Sequence, residues 1–218
     1  MKRLTLFAGH YGSGKTNIAV NYAVMLKKMG YDVIVADLDI VNPYFRTKDS
    51  EKELNELGIE LISSKFANTN LDIPSLPQEM YRTVQDKSKY AVMDIGGDDA
   101  GAVALGRFAP FINEEDNYDM VFVVNFYRPL SRTAEEALEI MREVEASSKL
   151  KFTSIINNSN LGELTTAEAV LSTQAEAQRL SELSSLPIKM TSVKESLFYE
   201  LNDKTKNLFC LALQNKIF

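Results

Sequence analysis

Short apolar runs alternate with longer amphipathic segments along the whole chain. Most of the runs are continuously apolar, which is typical of strands covered on both faces. Seven strands are predicted: Leu4–Ala8, Asp32–Ala36, Glu60–Ile62, Tyr90–Met93, Met120–Val124, Phe152–Ile156 and Pro187–Met190. The amphipathic segments predict helices at Lys15–Met29, Glu51–Leu57, Ser75–Lys87, Ala100–Phe111, Ser131–Ser147, Thr165–Leu183 and Glu195–Asn215.

This order of elements predicts an α/β fold in three layers, with a mostly parallel sheet and helices on both faces. Capping signals support several boundaries. Gly30 is expected to end the first helix, Ser131 with Glu135 to open the fifth, and Thr165 or Thr166 to open the sixth. Because no repeat or Pro/Gly-rich linker interrupts the pattern, residues 1–218 are expected to form a single domain.

The segment after the first strand carries the most specific motif. Gly9-His10-Tyr11-Gly12-Ser13-Gly14-Lys15-Thr16 fits G-x-x-x-x-G-K-[ST], the phosphate-binding loop or Walker A motif. Glycines let the backbone turn its N–H groups toward a phosphate, the lysine reaches the β- and γ-phosphates, and the threonine hydroxyl suits Mg²⁺. The predicted nucleotide-binding residues here are Gly9, Gly12, Ser13, Gly14, Lys15, Thr16 and Asn17.

Carboxylates follow two further strands, and ligands of such sheets bind at the carboxyl ends of the strands. Asp37 and Asp39 end the second strand, where Asp37 is expected to support Mg²⁺ or Lys15 and Asp39 to position the attacking water. This Asp-Leu-Asp sequence also precedes Asn42-Pro43, so a capped turn is the alternative.

The fourth strand ends in Asp94, which is expected to support Mg²⁺ through bound water. Gly97 follows, and its N–H is expected to approach the γ-phosphate and to move when that phosphate leaves. Asp98 and Asp99 are interpreted mainly as a helix cap.

Asn157 and Asn158 follow the sixth strand and are the candidates for contacting the base, with a simple turn as the alternative. An asparagine offers both a donor and an acceptor, which suits the adenine edge, whereas guanine recognition favours a carboxylate. Because the chain contains no Asn-Lys-x-Asp string, ATP is preferred to GTP.

Composition narrows the functional classes. A formal net charge of -6 argues against nucleic-acid binding. The first apolar run of the chain leads directly into the glycine-rich turn, which favours a buried strand over a targeting segment. We therefore expect a cytoplasmic protein. The single cysteine, Cys210, argues against an Fe–S cluster within one chain and is interpreted as a buried core residue.

Taken together, these motifs resemble the MinD/ParA-like branch of the SIMIBI class of P-loop ATPases. The resemblance implies a sheet of seven or eight strands, slow ATP hydrolysis with Asp39 positioning water, and a nucleotide-dependent homodimer or a protein partner. His10 stands where this branch usually has a second, signature lysine, which weakens the dimer mechanism. The segment Asn42–Arg46 would be the first mobile, partner-facing segment.

Two other functions remain open. The first is a small-molecule kinase or ligase of the dethiobiotin-synthetase-like branch, with Asp98, Asp99, Arg107 and Arg128 lining an acceptor pocket. The second is DNA partitioning, which the acidic balance disfavours. A membrane-binding helix over Lys204–Phe218 is also disfavoured, because it has only three lysines, and a core-packing last helix is expected instead.

Overall fold

The computed structural model describes residues 1–38, 50–63, 78–97 and 99–211, with residues 99 and 100 described in their backbone alone. Its eight strands are all parallel and form one sheet in the order β3-β2-β4-β1-β5-β6-β7-β8. The strands are β1 Leu4–Ala8, β2 Val33–Leu38, β3 Glu60–Ser63, β4 Tyr90–Ile95, β5 Tyr118–Val124, β6 Ser154–Asn157, β7 Ile188–Lys194 and β8 Leu208–Leu211. The predicted α/β fold with a mostly parallel sheet is confirmed.

Within the described ranges, α-helices connect or follow these strands. They are α1 Lys15–Lys28, α2 Glu51–Glu56, α3 Arg82–Gln85, α4 Asp99–Gly106, α5 Ala109–Glu115, α6 Ala134–Ser148, α7 Ala167–Ser172, α8 Gln174–Ser184 and α9 Glu195–Leu201. Short 3₁₀ turns lie at Gln78–Tyr81 and Gly162–Leu164. None of the described helices combines the length and apolar character needed to cross a membrane.

Strand β1 lies at the centre of the sheet, and both of its faces are covered by apolar clusters, so its continuous apolar run is buried. Leu4 and Leu6 belong to the apolar cluster on one face, and Phe7 belongs to the cluster on the other face; all three side chains have no exposed surface. Burying each such side chain contributes about 1.5–3 kcal/mol. Because every strand is parallel, all the strands end at the same edge, where the predicted ligand-binding segments meet.

The prediction of one long last helix is wrong. Helix α9 ends at Leu201, and Asn207 adopts a left-handed conformation with φ of 54°, which a continuing helix does not permit. The apolar residues that follow pair with β7 as strand β8, the outermost strand of the described sheet. Residues 212–218 lie outside the described part. Cys210 is exposed on this edge strand and is not the core residue that was expected.

Two other predicted helices are each split in two, at Arg107–Phe108 and at Thr173. The cap assigned to the fifth predicted helix is also wrong. Helix α6 is capped by Thr133, whose side chain accepts from Glu136 N while the Glu136 side chain accepts from Thr133 N. The Ser131 hydroxyl instead donates to Asn125 O at 3.0 Å.

The other two cap predictions agree with the structure. Thr166 caps α7 by accepting a hydrogen bond from Ala169 N. Gly30 follows α1 with φ of 92°, and its N–H donates to Lys27 O at 2.9 Å. Local helix signals therefore identify these two ends correctly.

Candidate nucleotide-binding site

The glycine-rich segment forms a tight loop between β1 and α1. Gly12 and Gly14 have φ values of 76° and 89°, in the left-handed region that favours glycine. Space is equally restrictive, because a Cβ at Gly9 would lie 2.2 Å from Val123 O and one at Gly14 would lie 2.2 Å from Asn158 Nδ2. The loop geometry therefore depends on glycine at these positions.

The loop leads into the first turn of α1 and is hydrogen-bonded to it. Lys15 is 5% exposed, and its Nζ donates to His10 O at 3.3 Å, while Ser13 N donates to the same carbonyl at 3.1 Å. The amides of Lys15, Thr16 and Asn17 begin α1, where no carbonyl within the helix is available to them. An ammonium group and the positive end of a helix dipole thus face the same loop, which is the environment an anion requires.

A hydroxyl and two carboxylates lie behind this loop. Thr16 Oγ1 donates to Asp94 Oδ2 at 2.6 Å, and Asp94 has no exposed surface. Asp37 is 4% exposed and pairs in register with Asp94 on the adjacent strand. These hard oxygen donors are the type that Mg²⁺ prefers, so the residues present fit that ion. Asp39, the predicted water-positioning residue, lies outside the described residues.

The turn after β4 packs directly against the loop. A Cβ built at Gly97 would lie 2.7 Å from Tyr11 N and 2.8 Å from Lys15 Nζ. On the other side of the turn, a Cβ at Gly101 in α4 would lie 2.6 Å from Gly96 O. Backbone contacts therefore place this turn between the loop and α4. The approach of the Gly97 N–H to a γ-phosphate stays a prediction. Asp98 lies outside the described residues.

The two predicted base-contacting asparagines have different environments. Asn157 Nδ2 donates to Thr173 Oγ1 at 3.1 Å, and its Oδ1 accepts from Ser159 Oγ at 2.6 Å. Asn157 is not among the residues that line the cavity described next, and a contact between its side chain and the base stays a prediction. Its side chain turns toward the segment that joins α7 and α8.

Asn158 joins three parts of the site. Its Nδ2 donates to Ser13 O at 2.7 Å, its Oδ1 accepts from Ser192 Oγ at 2.6 Å, and its backbone N donates to Val124 O at 2.8 Å. The side chain is 3% exposed. Asn158 thereby connects the phosphate loop to the ends of β5 and β7 through hydrogen bonds.

A cavity of about 230 Å³ extends from this loop toward β8. The loop and the start of α1 form one end of it. The other end is formed by residues after β6 and at the ends of β7 and β8. Its lining comprises Tyr11, Gly12, Gly14, Lys15, Thr16, Asn17, Arg128, Asn158, Asn160, Gly162, Thr165, Ser192, Val193, Lys194 and Leu211. These described lining residues include three cationic side chains and no carboxylate.

The end of the cavity away from the loop is held by its own hydrogen bonds. Lys194 Nζ donates to Glu163 O at 3.2 Å, Leu161 N donates to Thr165 Oγ1 at 2.9 Å, and Gly162 N donates to Asn160 Oδ1 at 3.1 Å. None of these residues is among those that the sequence predicts for nucleotide binding. Their position after a parallel strand was the available signal.

Arg128 lies in the segment after β5 and also lines the cavity, with its Nε donating to Gly12 O at 3.1 Å. Arg107, in contrast, is exposed beyond the carboxyl end of α4 and does not line this cavity. The acceptor pocket predicted from Asp98, Asp99, Arg107 and Arg128 is therefore not assembled around this cavity by the side chains that the structure describes.

A model of the CobQ/CobB/MinD/ParA nucleotide-binding domain family matches residues 4–186. The chain belongs to this family. The resemblance inferred from the motifs is thus confirmed for most of the chain, including the phosphate loop and the ends of β2, β4 and β6. A search of curated proteins found no match.

Solved structures with a similar fold include two FtsY proteins and a signal recognition particle protein. The cell division protein FtsY of Thermotoga maritima has a TM-score of 0.59 and 17% identity, over 87% of this chain and 61% of that one. FtsY of Mycoplasma mycoides has a TM-score of 0.56 and 17% identity, over 88% and 61%. The 54 kDa signal recognition particle protein of Aeropyrum pernix, in complex with GDP, has a TM-score of 0.55 and 17% identity, over 86% and 40%. At this identity the likeness concerns the fold.

Proposed function

We propose that this chain binds Mg·ATP, hydrolyses it slowly and acts as a nucleotide-controlled switch on a protein partner. The observation that carries the proposal is the convergence of Lys15, the Thr16–Asp94 hydrogen bond and the Gly97 turn on one phosphate loop. A phosphate loop alone supports nucleotide binding. The turn packed against it supports a response to the γ-phosphate.

The polyphosphate would lie along the loop with Lys15 as its main cation. The described cavity lining carries Lys15, Arg128 and Lys194 without a carboxylate, although the whole chain has a formal net charge of -6. A local positive field of this kind raises the affinity for an anionic ligand. The charge of the cavity is therefore consistent with a nucleotide and disfavours a cationic substrate.

Mg²⁺ would be held by the Thr16 hydroxyl, with Asp94 and Asp37 supporting it through the second coordination shell. When bound, the ion neutralises charge that develops on the phosphate oxygens. The buried Asp94 carboxylate accepts the hydrogen bond of the Thr16 hydroxyl, which fixes this side chain and would leave the oxygen lone pairs for the ion.

ATP is proposed as the nucleotide because of the chemistry at the far end of the cavity. A guanine base is best recognised by a carboxylate that accepts from its N1–H and N2–H groups. The described lining there is Asn160, Gly162, Thr165, Val193, Lys194 and Leu211, which includes no such group. An amide, a hydroxyl and backbone groups next to apolar side chains suit adenine.

The switch would operate through the turn after β4. The γ-phosphate must bind next to Lys15, where the Gly97 backbone already packs, so its arrival and departure would move this turn. Gly101 packs against Gly96, so the movement would reach α4. By resemblance to the family, Asp39 would position the attacking water, and a partner or a second copy would read the change.

The test is to measure ATP turnover and hydrodynamic radius of wild-type protein and Asp39→Ala, with and without Mg·ATP. We expect slow turnover by the wild type, none by the variant, and an ATP-dependent change of size or shape that persists in the variant. Rapid turnover that requires a small phosphoryl acceptor would favour a kinase instead. Turnover and radius that are both indifferent to nucleotide would refute the switch.

A further inference from the structure

Arg128 lies across the phosphate loop but belongs to none of the motifs that predict nucleotide binding. It comes from the segment between β5 and α6, and its Nε donates to Gly12 O at 3.1 Å. A Cβ at Gly12 would lie 3.5 Å from Arg128 Nε and 3.9 Å from Arg128 Cζ. The guanidinium therefore packs against Gly12, which is part of the loop proposed to bind the phosphates.

The hydrogen bond to Gly12 uses one of the five N–H groups of the guanidinium. The two terminal nitrogens have no hydrogen-bond partner among the described residues, and the side chain lines the same cavity as Lys15. A planar guanidinium fixed through Nε presents its remaining N–H groups in the fork arrangement that matches two phosphate oxygens.

We propose that Arg128 contacts the diphosphate of the bound nucleotide as a second cation beside Lys15. The inference rests on the proposed nucleotide binding and extends it to a residue from another loop. His10, which stands where the MinD/ParA-like branch usually has its signature lysine, donates from Nδ1 to Tyr11 O at 3.0 Å, so its ring is hydrogen-bonded to the loop itself. Arg128, whose Nε donates to Gly12 O, supplies a permanent charge at that loop.

The test compares Arg128→Gln, Arg128→Lys and the control Arg132→Gln. Arg132 is an exposed arginine of the same segment that does not line the cavity. Affinities for Mg·ADP are measured by calorimetry, and inorganic pyrophosphate is measured as a competitor of ADP. Pyrophosphate reports phosphate contacts alone because it carries neither ribose nor base.

We expect Arg128→Gln to weaken ADP and pyrophosphate by a similar factor of about tenfold, the size of one solvent-exposed charge-assisted contact. The salt dependence of binding should also decrease, while Arg128→Lys should retain part of the affinity and Arg132→Gln should match the wild type. Loss of ADP affinity with unchanged pyrophosphate affinity would overturn the proposal, since it would place Arg128 on the ribose or base.

Three further results distinguish failure of this inference from failure of the proposed function. If the wild type binds neither nucleotide nor pyrophosphate, the proposed function itself fails. If the wild type binds both and Arg128→Gln binds them equally well, the function stands and the Arg128 contact is refuted. A lower melting temperature of nucleotide-free Arg128→Gln, with equal affinity losses in Arg128→Lys, would assign the residue to loop structure alone and also refute the contact.

Discussion

Replacing Gly97 with alanine tests whether the turn after β4 detects the γ-phosphate. The added Cβ would lie 2.7 Å from Tyr11 N, 2.8 Å from Tyr11 Cα and 2.8 Å from Lys15 Nζ. Two of these atoms belong to the backbone of the phosphate loop, so the turn must move away by roughly 0.7–0.8 Å to reach ordinary contact distances of about 3.5 Å. The φ of Gly97 is not in the left-handed region, so the effect of alanine is steric.

This displacement should selectively weaken triphosphate binding. Removing one hydrogen bond to a charged phosphate costs about 1.5–3 kcal/mol, which corresponds to roughly 10- to 100-fold in affinity. We expect Gly97→Ala to weaken a non-hydrolysable ATP analogue by at least about tenfold, and to change ADP by less than about threefold, because ADP has no γ-phosphate for the turn to contact.

Calorimetry with both nucleotides in the presence of Mg²⁺ measures the difference. The matched control is Gly106→Ala, at the end of α4, where the nearest atom to the new Cβ would be Ser147 O at 3.2 Å, away from the phosphate loop. Equal losses for the ATP analogue and ADP in Gly97→Ala, or no loss for either, would refute the reasoning that this turn contacts the γ-phosphate.

The remaining predictions concern the loop, the asparagines and a distant ion pair. Lys15→Ala should lower the affinity for ATP and ADP at least 100-fold without lowering the melting temperature, and a smaller loss measured by calorimetry would contradict its role. Asn158→Ala should lower both nucleotide affinity and stability, the latter by about 1–3 kcal/mol in denaturant titrations, because Ser13 O and Ser192 Oγ lose a buried partner. Asn157→Ala should lower stability without lowering nucleotide affinity. Equal losses of nucleotide affinity in both asparagine variants would show that Asn157 also contributes to nucleotide binding. Burial alone would raise the pKa of Asp119, but hydrogen bonds from Lys189, Thr153 and Ser154 lower it below the usual value. Its stabilisation should thus be complete above the unfolded pKa near 4 and be lost as pH falls through the folded pKa. Asp119→Asn should make the free energy of unfolding depend less on pH in the acid range. An unchanged dependence would exclude the Asp119–Lys189 pair as its source.

The agreement between sequence and structure is best where a local motif and the hydrophobic pattern indicate the same element. The bounds of β1 are those predicted, and α1 begins at Lys15 as predicted, because a buried run, a glycine-rich turn and an amphipathic helix follow one another without ambiguity. The missed strand β8 shows the opposite case. Leu208–Leu211 is a short apolar run next to a helical pattern, and periodicity alone does not distinguish a strand from a helix there.

The split helices and the two asparagines predicted to contact the base show which information the sequence did not provide. Pro110 occupies the first turn of α5, but the apolar pattern continues across Arg107–Phe108 and does not show that the helix is interrupted there. Asn157 and Asn158 are adjacent, and their side chains turn to different neighbours. Choosing between them requires knowing which side of the strand end faces the loop, which depends on the packing of the whole sheet.

Calorimetric titration of the folded wild-type protein with Mg·ATP, and in parallel with Mg·GTP, tests the central claim most directly, with Lys15→Ala as the matched control. The account predicts saturable binding of one ATP per chain, weaker binding of GTP and no measurable binding by the variant. The absence of heat with either nucleotide, or equal binding by Lys15→Ala, would contradict it.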